Sequence, residues 1–374
     1  MKIVCISTSF VPSNTANSIQ VIKATHAMAE LGHDVTLLVP GKEEAAWDDL
    51  ATRYGIRTPF NIHWIKENLT FKRYDFAFKA VRKARQMAPD LIYTWVLQAG
   101  VLALWQGMPT ILEMHDRVTG RIGPWLFRQF CGSKTHHRLL TITDALRSVL
   151  ISQNNIDPTK TEIVIAPDGV DLERYRNLPS PNAARKDLGL QEAFTAGYTG
   201  HFYEGRGIEL MYGLAKVMPE VQFLWVGGDP KNVSRWRDRL RNEQISNVIL
   251  TGFVDNAVLP QYQAASDVLL MPYSIKISGS GGGNTADIAS PMKMFEYMAA
   301  GRAIISSDLP VIHEVLDESM ALFCPPEDQG AWQEALSYLN TNPQVCQALG
   351  QKARSAVSAY TWQARVERSL EEFI

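Results

Sequence analysis

The feature that most restricts the fold is an alternation of strand and helix patterns at the start of the chain. Residues 2–7 form a short apolar run typical of a buried strand. A polar loop over 8–18 leads into a helical pattern over about 19–31, and a second apolar run follows Gly32 at 34–39. Two strands joined through one helix predict a βαβ unit, in which the strands are parallel and helices cover the sheet.

The same pattern starts again in the second half of the chain, after a stretch rich in turn-forming residues. It consists of a strand pattern at 193–198, a helical pattern at 207–217 and a strand pattern at 221–226. Further strands are predicted at 62–65, 91–94, 110–113, 139–143, 163–165, 248–250, 268–271 and 303–305. The sequence therefore predicts an α/β protein with two doubly wound, Rossmann-like domains, 1–170 and 171–357, facing an interdomain cleft that would hold a ligand.

Composition excludes some classes of protein. With 374 residues, 46% of them hydrophobic and 20% charged, the chain is predicted to be a soluble globular protein. A formal net charge of −2 gives no reason to expect nucleic acid as a partner. The first apolar run ends at Ser7, too early for a signal peptide, and the longest apolar window, 91–105, is too short to span a bilayer. We expect a cytoplasmic protein that could touch the inner membrane face.

Four cysteines are spread along the chain without the spacing of metal ligands, so no metal site is predicted. They are Cys5, Cys131, Cys324 and Cys346. Cys5 lies inside the first apolar run and is expected to be a small buried thiol.

A candidate anion site lies at the start of a predicted helix in the second domain. Ser290 is the predicted N-cap, and Pro291 fits the first turn, where no N–H group is needed. With Lys293 in that turn, the helix start would attract an anion such as a diphosphate, and Glu296, one turn on, could accept hydrogen bonds from a ribose. The alternative interpretation is an ordinary amphipathic helix that ends at Gly301.

Three loops follow or precede predicted strands and could contribute to such a site. In the loop 200–207, backbone N–H groups and Arg206 could surround a phosphate, unless it is a simple connection. Phe253, just after another strand, could line a base pocket. The glycine-rich loop 278–289 could close on a substrate or could be a disordered connection.

Two features of the first domain could carry function. His115 follows an apolar strand and could bind sugar hydroxyls or stabilise developing charge, although a structural role is the alternative. The basic segment 71–85 carries Phe71, Tyr74 and Phe78 at helical spacing. It could lie on an anionic bilayer or hold an acidic acceptor. The interpretation that we favour is a surface helix whose aromatic side chains belong to the core.

Taken in order, these segments resemble the retaining glycosyltransferases of family 4, which have the GT-B architecture, and the resemblance covers nearly the whole chain. The segments that carry it are the opening strand and helix with 31–37, then 113–116, 167–171, 200–207, 252–254 and 290–301. The last helix, about 358–374 with Trp362, is similar to the one that packs back onto the first domain in this family.

The resemblance implies a hexosyltransferase of polysaccharide or glycoconjugate biosynthesis that needs no metal. Its donor would be a nucleotide sugar, with UDP-glucose expected first and GDP as the second choice of nucleotide. Its acceptor would be a carbohydrate or a lipid-linked sugar. Arg206 and Lys293 would neutralise the donor diphosphate, and His115 would contact the transferred sugar near the reacting carbon.

The resemblance also implies two further groups of contact residues. Nucleotide contacts are expected from His201, Phe253, Val254, Ser290, Pro291, Met292 and Glu296. Contacts with the sugar or on the acceptor side are expected from Asn17, Asp116, Asp287, Ile288 and Ala289.

The chain departs from the family pattern in three places. The first Glu of the Glu-x7-Glu motif falls at Ile288, with Asp287 one position earlier. The loop 13–18 lacks the usual glycine pair, for which Asn17 is a substitute, and His201 stands where many relatives carry an arginine.

Two other functions are compatible with the sequence. One is a GT-B-type nucleotide-sugar epimerase, with Asp116 and Glu113 as acid and base. The other is an inactive scaffold that binds sugar nucleotides, which the isoleucine at 288 suggests. A nicotinamide dehydrogenase is disfavoured because the first strand is not followed by a Gly-x-Gly-x-x-Gly sequence.

Overall fold

The computed structural model of the protein describes residues 1–42, 44–66, 73–277 and 284–373. They form two compact units, Met1–Asp168 with Trp362–Ile374 and Gly169–Thr361. The sequence predicted that the segment packing back onto the first domain begins near residue 358, whereas the second unit extends to Thr361. The reason is a parallel bridge between Val170 and Thr361, beside a hydrogen bond from the Val170 N–H group to the Tyr360 carbonyl.

Strands and helices alternate along the described residues. The strands are β1 Lys2–Ile6, β2 Asp34–Pro40, β3 Asn61–Ile65, β4 Leu91–Thr94, β5 Thr110–Met114, β6 His137–Thr141, β7 Glu162–Ile165, β8 Thr195–Thr199, β9 Gln222–Val226, β10 Val248–Gly252, β11 Val268–Met271, β12 Ala303–Ser307 and β13 Ala321–Cys324. The α-helices are α1 Ala16–Glu30, α2 Trp47–Tyr54, α3 Arg73–Gln86, α4 Leu97–Trp105, α5 Gly123–Cys131, α6 Asp144–Asn154, α7 Pro181–Asp187, α8 Ile208–Val217, α9 Pro230–Asn242, α10 Leu259–Ala264, α11 Met292–Ala300, α12 Gln329–Thr341, α13 Pro343–Ala356 and α14 Trp362–Leu370.

Each unit is built on a parallel sheet, as predicted. The described part of the first unit has seven strands in the order β3-β2-β1-β4-β5-β6-β7, and that of the second has six in the order β10-β9-β8-β11-β12-β13. In both sheets the first strand of the unit lies between its successor and a later strand, so the winding direction reverses there. Ligands of doubly wound proteins bind outside the carboxyl ends of the strands at such a reversal.

The sequence missed strand β13 and placed the start of helix α1 too late. Strand β13 is an apolar run of only four residues, and periodicity alone does not show whether such a short run is a strand or part of a helix. Helix α1 begins at Ala16 because the Thr15 hydroxyl accepts a hydrogen bond from the Ser18 N–H group. Asn17 therefore lies in the first turn of α1 and not in the predicted loop, and its side chain is exposed.

Helix α3 turns a different face to the core than the one we favoured. Its buried side is formed by small and apolar residues that recur every three or four positions: Phe76, Ala77, Ala80, Val81 and Ala84. Tyr74 and Phe78 fall on the other side, with 45% and 58% of their surfaces exposed. The prediction that these aromatic side chains belong to the core is thus wrong. Phe71 lies outside the described residues.

Two further findings concern burial and hydrophobic length. Cys5 is completely buried in β1, which confirms the predicted buried thiol. Among the described residues, no helix is both long enough and apolar enough to cross a membrane. For the glycine-rich loop 278–289 the sequence left two alternatives open, a loop that closes on a substrate and a disordered connection; its residues 278–283 lie outside the described residues.

Candidate functional site

The carboxyl end of β8 places a glycine-rich loop against the first turn of α11. Gly200 has a φ of +140°, and a Cβ atom there would lie 2.9 Å from the Nζ atom of Lys293. Gly207, with a φ of +76°, is the N-cap of α8, and a Cβ atom there would lie 1.9 Å from the Pro272 carbonyl oxygen. Both positions require glycine, because the backbone conformation is left-handed and other groups come very close.

The ammonium of Lys293 is buried between aromatic rings. Its Nζ atom lies 3.8 Å from the centre of the Tyr198 ring and 5.6 Å from that of Tyr273. Within the described ranges this buried ammonium has no hydrogen-bond acceptor. Burial, reinforced by the positive charge of Arg206, holds the pKa of Lys293 well below the ordinary lysine value. A buried cation that lacks an acceptor costs free energy, which a bound anion would recover.

Arg206 lies near the ring of Tyr273 as well. The guanidinium carbon is 5.2 Å from the Tyr273 ring centre, and the backbone N–H group of Arg206 donates to the Tyr203 carbonyl. The structure therefore brings together the two cations that the sequence assigned to the diphosphate, Arg206 and Lys293. The sequence analysis missed Tyr273, although a tyrosine two residues after the buried strand β11 could have signalled it.

Helix α11 begins one residue later than predicted. Pro291 is the N-cap, with a φ of −75° and a ψ of 121°, and no side chain caps the helix. The N-cap role predicted for Ser290 is therefore wrong, because the extended backbone of Pro291 delays the first helical residue to Met292. Lys293 still falls in the first turn of α11. Ser290, three positions before it, is buried.

Glu296 lies one turn further along α11 and takes part in a polar network. Its Oε2 atom accepts a hydrogen bond of 3.2 Å from the side-chain amide of Gln263. The Gln263 oxygen accepts in turn from the Tyr175 hydroxyl at 2.9 Å. The carboxylate of Glu296 is half-buried and keeps acceptor capacity for hydroxyl groups.

The structure separates the other residues predicted for the nucleotide. The ring of His201 stacks on that of Tyr203, with centroids 4.8 Å apart, and its carbonyl accepts from the Tyr198 hydroxyl at 2.8 Å. Phe253 is largely exposed after β10, whereas Val254 packs against a small apolar cluster. Phe253 is therefore available for stacking, and Val254 is partly committed to the core.

The residues before α11 differ in exposure. The side chain of Ile288 is completely buried, and its N–H group donates to the Thr285 carbonyl at 3.2 Å. Asp287 is exposed, and Ala289 is half-buried. The isoleucine that replaces the family glutamate is thus part of the interior, and its side chain has no exposed surface in this structure.

The first unit holds a separate polar cluster at the end of β5. Glu113 is buried and accepts hydrogen bonds from the Gln20 amide at 2.7 Å, the Arg365 guanidinium at 2.5 Å and the Tyr93 hydroxyl. The Nε2 atom of His115 binds the same carboxylate. Burial alone would raise the pKa of Glu113, but Arg365 and these hydrogen bonds outweigh it, so the pKa is lower than usual.

The state of His115 follows from this partner. Burial works against a charged imidazole, but the hydrogen bond and the charge of Glu113 prevail and raise the pKa of His115. About 30% of the His115 side chain is exposed, compared with none of Glu113. The sequence analysis missed Gln20, Tyr93 and Arg365.

The two other residues predicted on the acceptor side have local surroundings. A carboxylate oxygen of Asp116 accepts a hydrogen bond of 2.7 Å from the Arg117 N–H group and so shapes the turn after His115. Asn17 is exposed at the start of α1. Among the described residues, no group of His, Cys, Asp and Glu side chains could hold a metal ion. That the reaction needs no metal stays a prediction.

Two protein-family models match the chain and together cover most of it. Residues 19–174 match the model described as Glycosyltransferase Family 4, and residues 193–342 match Glycosyl transferases group 1. The first model covers β2 to β7, and the second begins just before β8. Both polar clusters described above have members inside these ranges.

Individual proteins give a similar result. The putative teichuronic acid biosynthesis glycosyltransferase TuaH of Bacillus subtilis is 30% identical over 145 residues, which are 38% of this chain and 34% of that protein. The chain spans about half the length, or less, of its first curated relatives. A longer match, 24% identical over 383 residues, covers 91% of this chain and 88% of the phosphatidyl-myo-inositol mannosyltransferase of Mycobacterium tuberculosis.

The fold has solved counterparts. The crystal structure of Anabaena HepE in complex with UDP matches with a TM-score of 0.75 and 16% identity, and the match covers 99% of both chains. At this identity the likeness shows the fold alone.

Proposed function

The chain belongs to the family 4 glycosyltransferases of GT-B fold, and on that premise we propose that it transfers a hexose from a nucleotide sugar to an acceptor hydroxyl. The observation that carries the proposal is the buried ammonium of Lys293, which has no acceptor among the described residues and shares the Tyr273 ring with Arg206. Two cations held in this way suit the diphosphate of a donor.

The same two cations would favour the chemical step. Cleavage of the bond between the sugar and the phosphate leaves negative charge on the diphosphate and positive charge on the sugar ring. Lys293 and Arg206 are already oriented by packing on Tyr198 and Tyr273, so they would stabilise the leaving group without reorganising. We propose that the configuration at the anomeric carbon is retained and that the leaving phosphate accepts the proton of the acceptor hydroxyl.

UDP-glucose is the proposed donor. The carboxylate of Glu296 can accept hydrogen bonds from ribose hydroxyls, and Phe253 offers an exposed ring for the base. The fold relative HepE was crystallised with UDP, so a protein with this fold can bind that nucleotide. His115 is proposed to bind the transferred sugar, and no metal is invoked because the cations offset the diphosphate charge.

The proposed acceptor is a glycolipid or a lipid-linked carbohydrate at the cytoplasmic face of the membrane. The exposed side of α3 carries Tyr74 and Phe78 together with four exposed basic residues, Lys79, Arg82, Lys83 and Arg85. Aromatic rings with cations around them are suited to the interface of an anionic bilayer. The mycobacterial relative is named for a reaction on a phosphatidyl-myo-inositol lipid, which supports this class of acceptor.

The alternatives find less support. An epimerase would need Glu113 as an acid or base, but this carboxylate is buried and is bound by Gln20, Tyr93 and Arg365. The relatives described above are named as transferases, which supports neither an epimerase nor an inactive scaffold.

Calorimetric titration of UDP, GDP and ADP in the presence of EDTA tests the donor site. We expect UDP to bind the wild type and to lose its affinity for an Arg206→Ala/Lys293→Ala variant. An Arg235→Ala/Lys231→Ala variant, in which two exposed cations of α9 are removed, is the matched control and should bind as the wild type does. If folded wild type bound no nucleotide, the proposed function would be wrong.

A further inference from the structure

The C-terminal helix contributes one buried arginine to the polar cluster of the first unit. The guanidinium of Arg365 donates from all three nitrogens: Nε to the Pro167 carbonyl at 2.9 Å, Nη1 to the Tyr93 hydroxyl at 3.2 Å and Nη2 to Glu113 at 2.5 Å. Its side chain is 1% exposed. Because the guanidinium is planar and its three acceptors come from different parts of the chain, these hydrogen bonds fix its orientation.

Glu113 is held equally firmly. Its donors come from four different elements of the first unit: Gln20 from α1, Tyr93 from β4, Arg365 from α14, and His115 from the segment that follows β5. Since the carboxylate cannot rotate without breaking several of these bonds, its direction is fixed. The bond that it forms with Nε2 then fixes the direction of the imidazole ring.

The cluster also sets the charge around His115. The charged groups that act on the imidazole are Glu113, Asp168 and Arg365. Glu113 is fully buried, whereas about 30% of the His115 side chain is exposed. Glu113 therefore cannot contact a ligand itself and acts on one through His115. With Nε2 engaged by Glu113, Nδ1 is the ring nitrogen that can bind a sugar hydroxyl.

We infer that Arg365 and Glu113 are positioning residues for His115, so that the C-terminal helix fixes the orientation of the imidazole that meets the transferred sugar. The inference rests on the proposed function, in which His115 binds that sugar. It assigns a role in the reaction to a residue that lies 252 positions away from Glu113 in the sequence.

The first measurement is an NMR titration of the His115 imidazole in the free protein, with a His115→Gln variant to assign its resonance. In Glu113→Gln, which preserves shape and removes the charge, we expect the pKa of His115 to fall. In Arg365→Lys, which preserves the charge and loses the fork, we expect the His115 resonance to shift. Arg128→Lys, an exposed arginine of α5, should leave the resonance unchanged.

The second measurement is steady-state kinetics per folded molecule. Misplacement of a group at the reacting sugar by about 1 Å can cost roughly 10²-fold in rate, so we expect a fall of that order in kcat for both variants, with the KM for the donor unchanged. Should either variant fail to fold, Tyr93→Phe removes one hydroxyl from the network and should still shift the His115 resonance.

Two outcomes would overturn the inference: an unchanged His115 titration in Glu113→Gln, or an unchanged kcat in both folded variants. The titration needs neither donor nor acceptor. A failure of the proposed transferase function would therefore leave the NMR result interpretable, and a failure of the positioning role would leave nucleotide binding intact.

Discussion

The Nζ atom of Lys293 lies 3.8 Å from the centre of the Tyr198 ring, so an ammonium of α11 is held over an aromatic face at the end of β8. The ring stabilises the cation without forming a hydrogen bond. Gly200, the first residue after β8, leaves the space that the ammonium occupies. The lysine is thus in position to bind an anion before any ligand is present. Burial of its ammonium lowers the stability of the free protein.

Replacing Lys293 with methionine should separate stability from binding. Methionine keeps a similar length without a buried charge, so we expect the free energy of unfolding to rise by about 1–3 kcal/mol. UDP binding should be lost. Denaturant unfolding and calorimetry measure the two effects, and Lys231→Met, at an exposed site of α9, is the control that should change neither. A less stable Lys293→Met protein would contradict this account of the site.

Nucleotide binding should be accompanied by proton uptake. The pKa of Lys293 is low in the free protein, chiefly because of burial, and a diphosphate would raise it by favouring the charged ammonium. Between the free and the bound pKa, each binding event therefore takes up protons, and affinity falls as the pH rises through the bound value. Calorimetry in buffers of different ionisation enthalpy measures the uptake. It should vanish in Lys293→Met.

The low pKa of Lys293 also predicts how the free energy of unfolding of the ligand-free protein changes with pH. The pKa of Lys293 is lower in the folded than in the unfolded chain, so the unfolded chain binds more protons between the two values. Stability should therefore rise with pH across that window. Unfolding of Lys293→Met should lack this contribution, and equal pH slopes for the two proteins would argue against the low pKa.

A methyl group at Gly200 should displace Lys293 and weaken UDP binding. The added Cβ atom would lie 2.9 Å from Nζ, which is at the end of a flexible side chain and can move away. Loss of one charge-assisted contact of about 1.5–3 kcal/mol corresponds to roughly ten- to a hundredfold weaker binding. Gly189→Ala is the control, because Gly189 also has a positive φ, +66°, but has no atom within 4 Å of the added group.

In the Gly189→Ala control we expect a lower free energy of unfolding and an unchanged affinity for UDP. If Gly200→Ala and Gly189→Ala bound UDP equally well, the close approach between Gly200 and Lys293 would have no role in binding.

The exposed side of α3 should bind anionic membranes. Tyr74→Ser/Phe78→Ser removes the aromatic groups, and Arg82→Gln/Lys83→Gln removes two charges; all four side chains are exposed, so the fold should persist. Each change should reduce cosedimentation with vesicles of phosphatidylglycerol, where each lost cation costs about 1 kcal/mol. Arg235→Gln/Lys231→Gln on α9 serves as the charge control. If the wild type bound neutral phosphatidylcholine vesicles as strongly as phosphatidylglycerol vesicles, the basic residues would not contribute to membrane binding through their charge.

Local pattern was sufficient for much of the fold. The apolar runs of β1, β4 and β11 and the turn-rich stretch between the units are properties of neighbouring residues, and they predicted two parallel α/β units. The start of α11 was misplaced by one residue because Pro291 is compatible with both the N-cap and the first turn. For α3, spacing correctly predicted a two-sided helix but not which side is buried.

The sequence by itself determined the order of strands and helices, the parallel sheets and the candidate cations, because these follow from short-range periodicity and residue chemistry. Tertiary structure alone decided that Lys293 is buried over Tyr198, that Ile288 serves the core and that Arg365 meets Glu113. Burial, pKa and hydrogen-bond partners depend on residues far apart in the chain that only folding brings together.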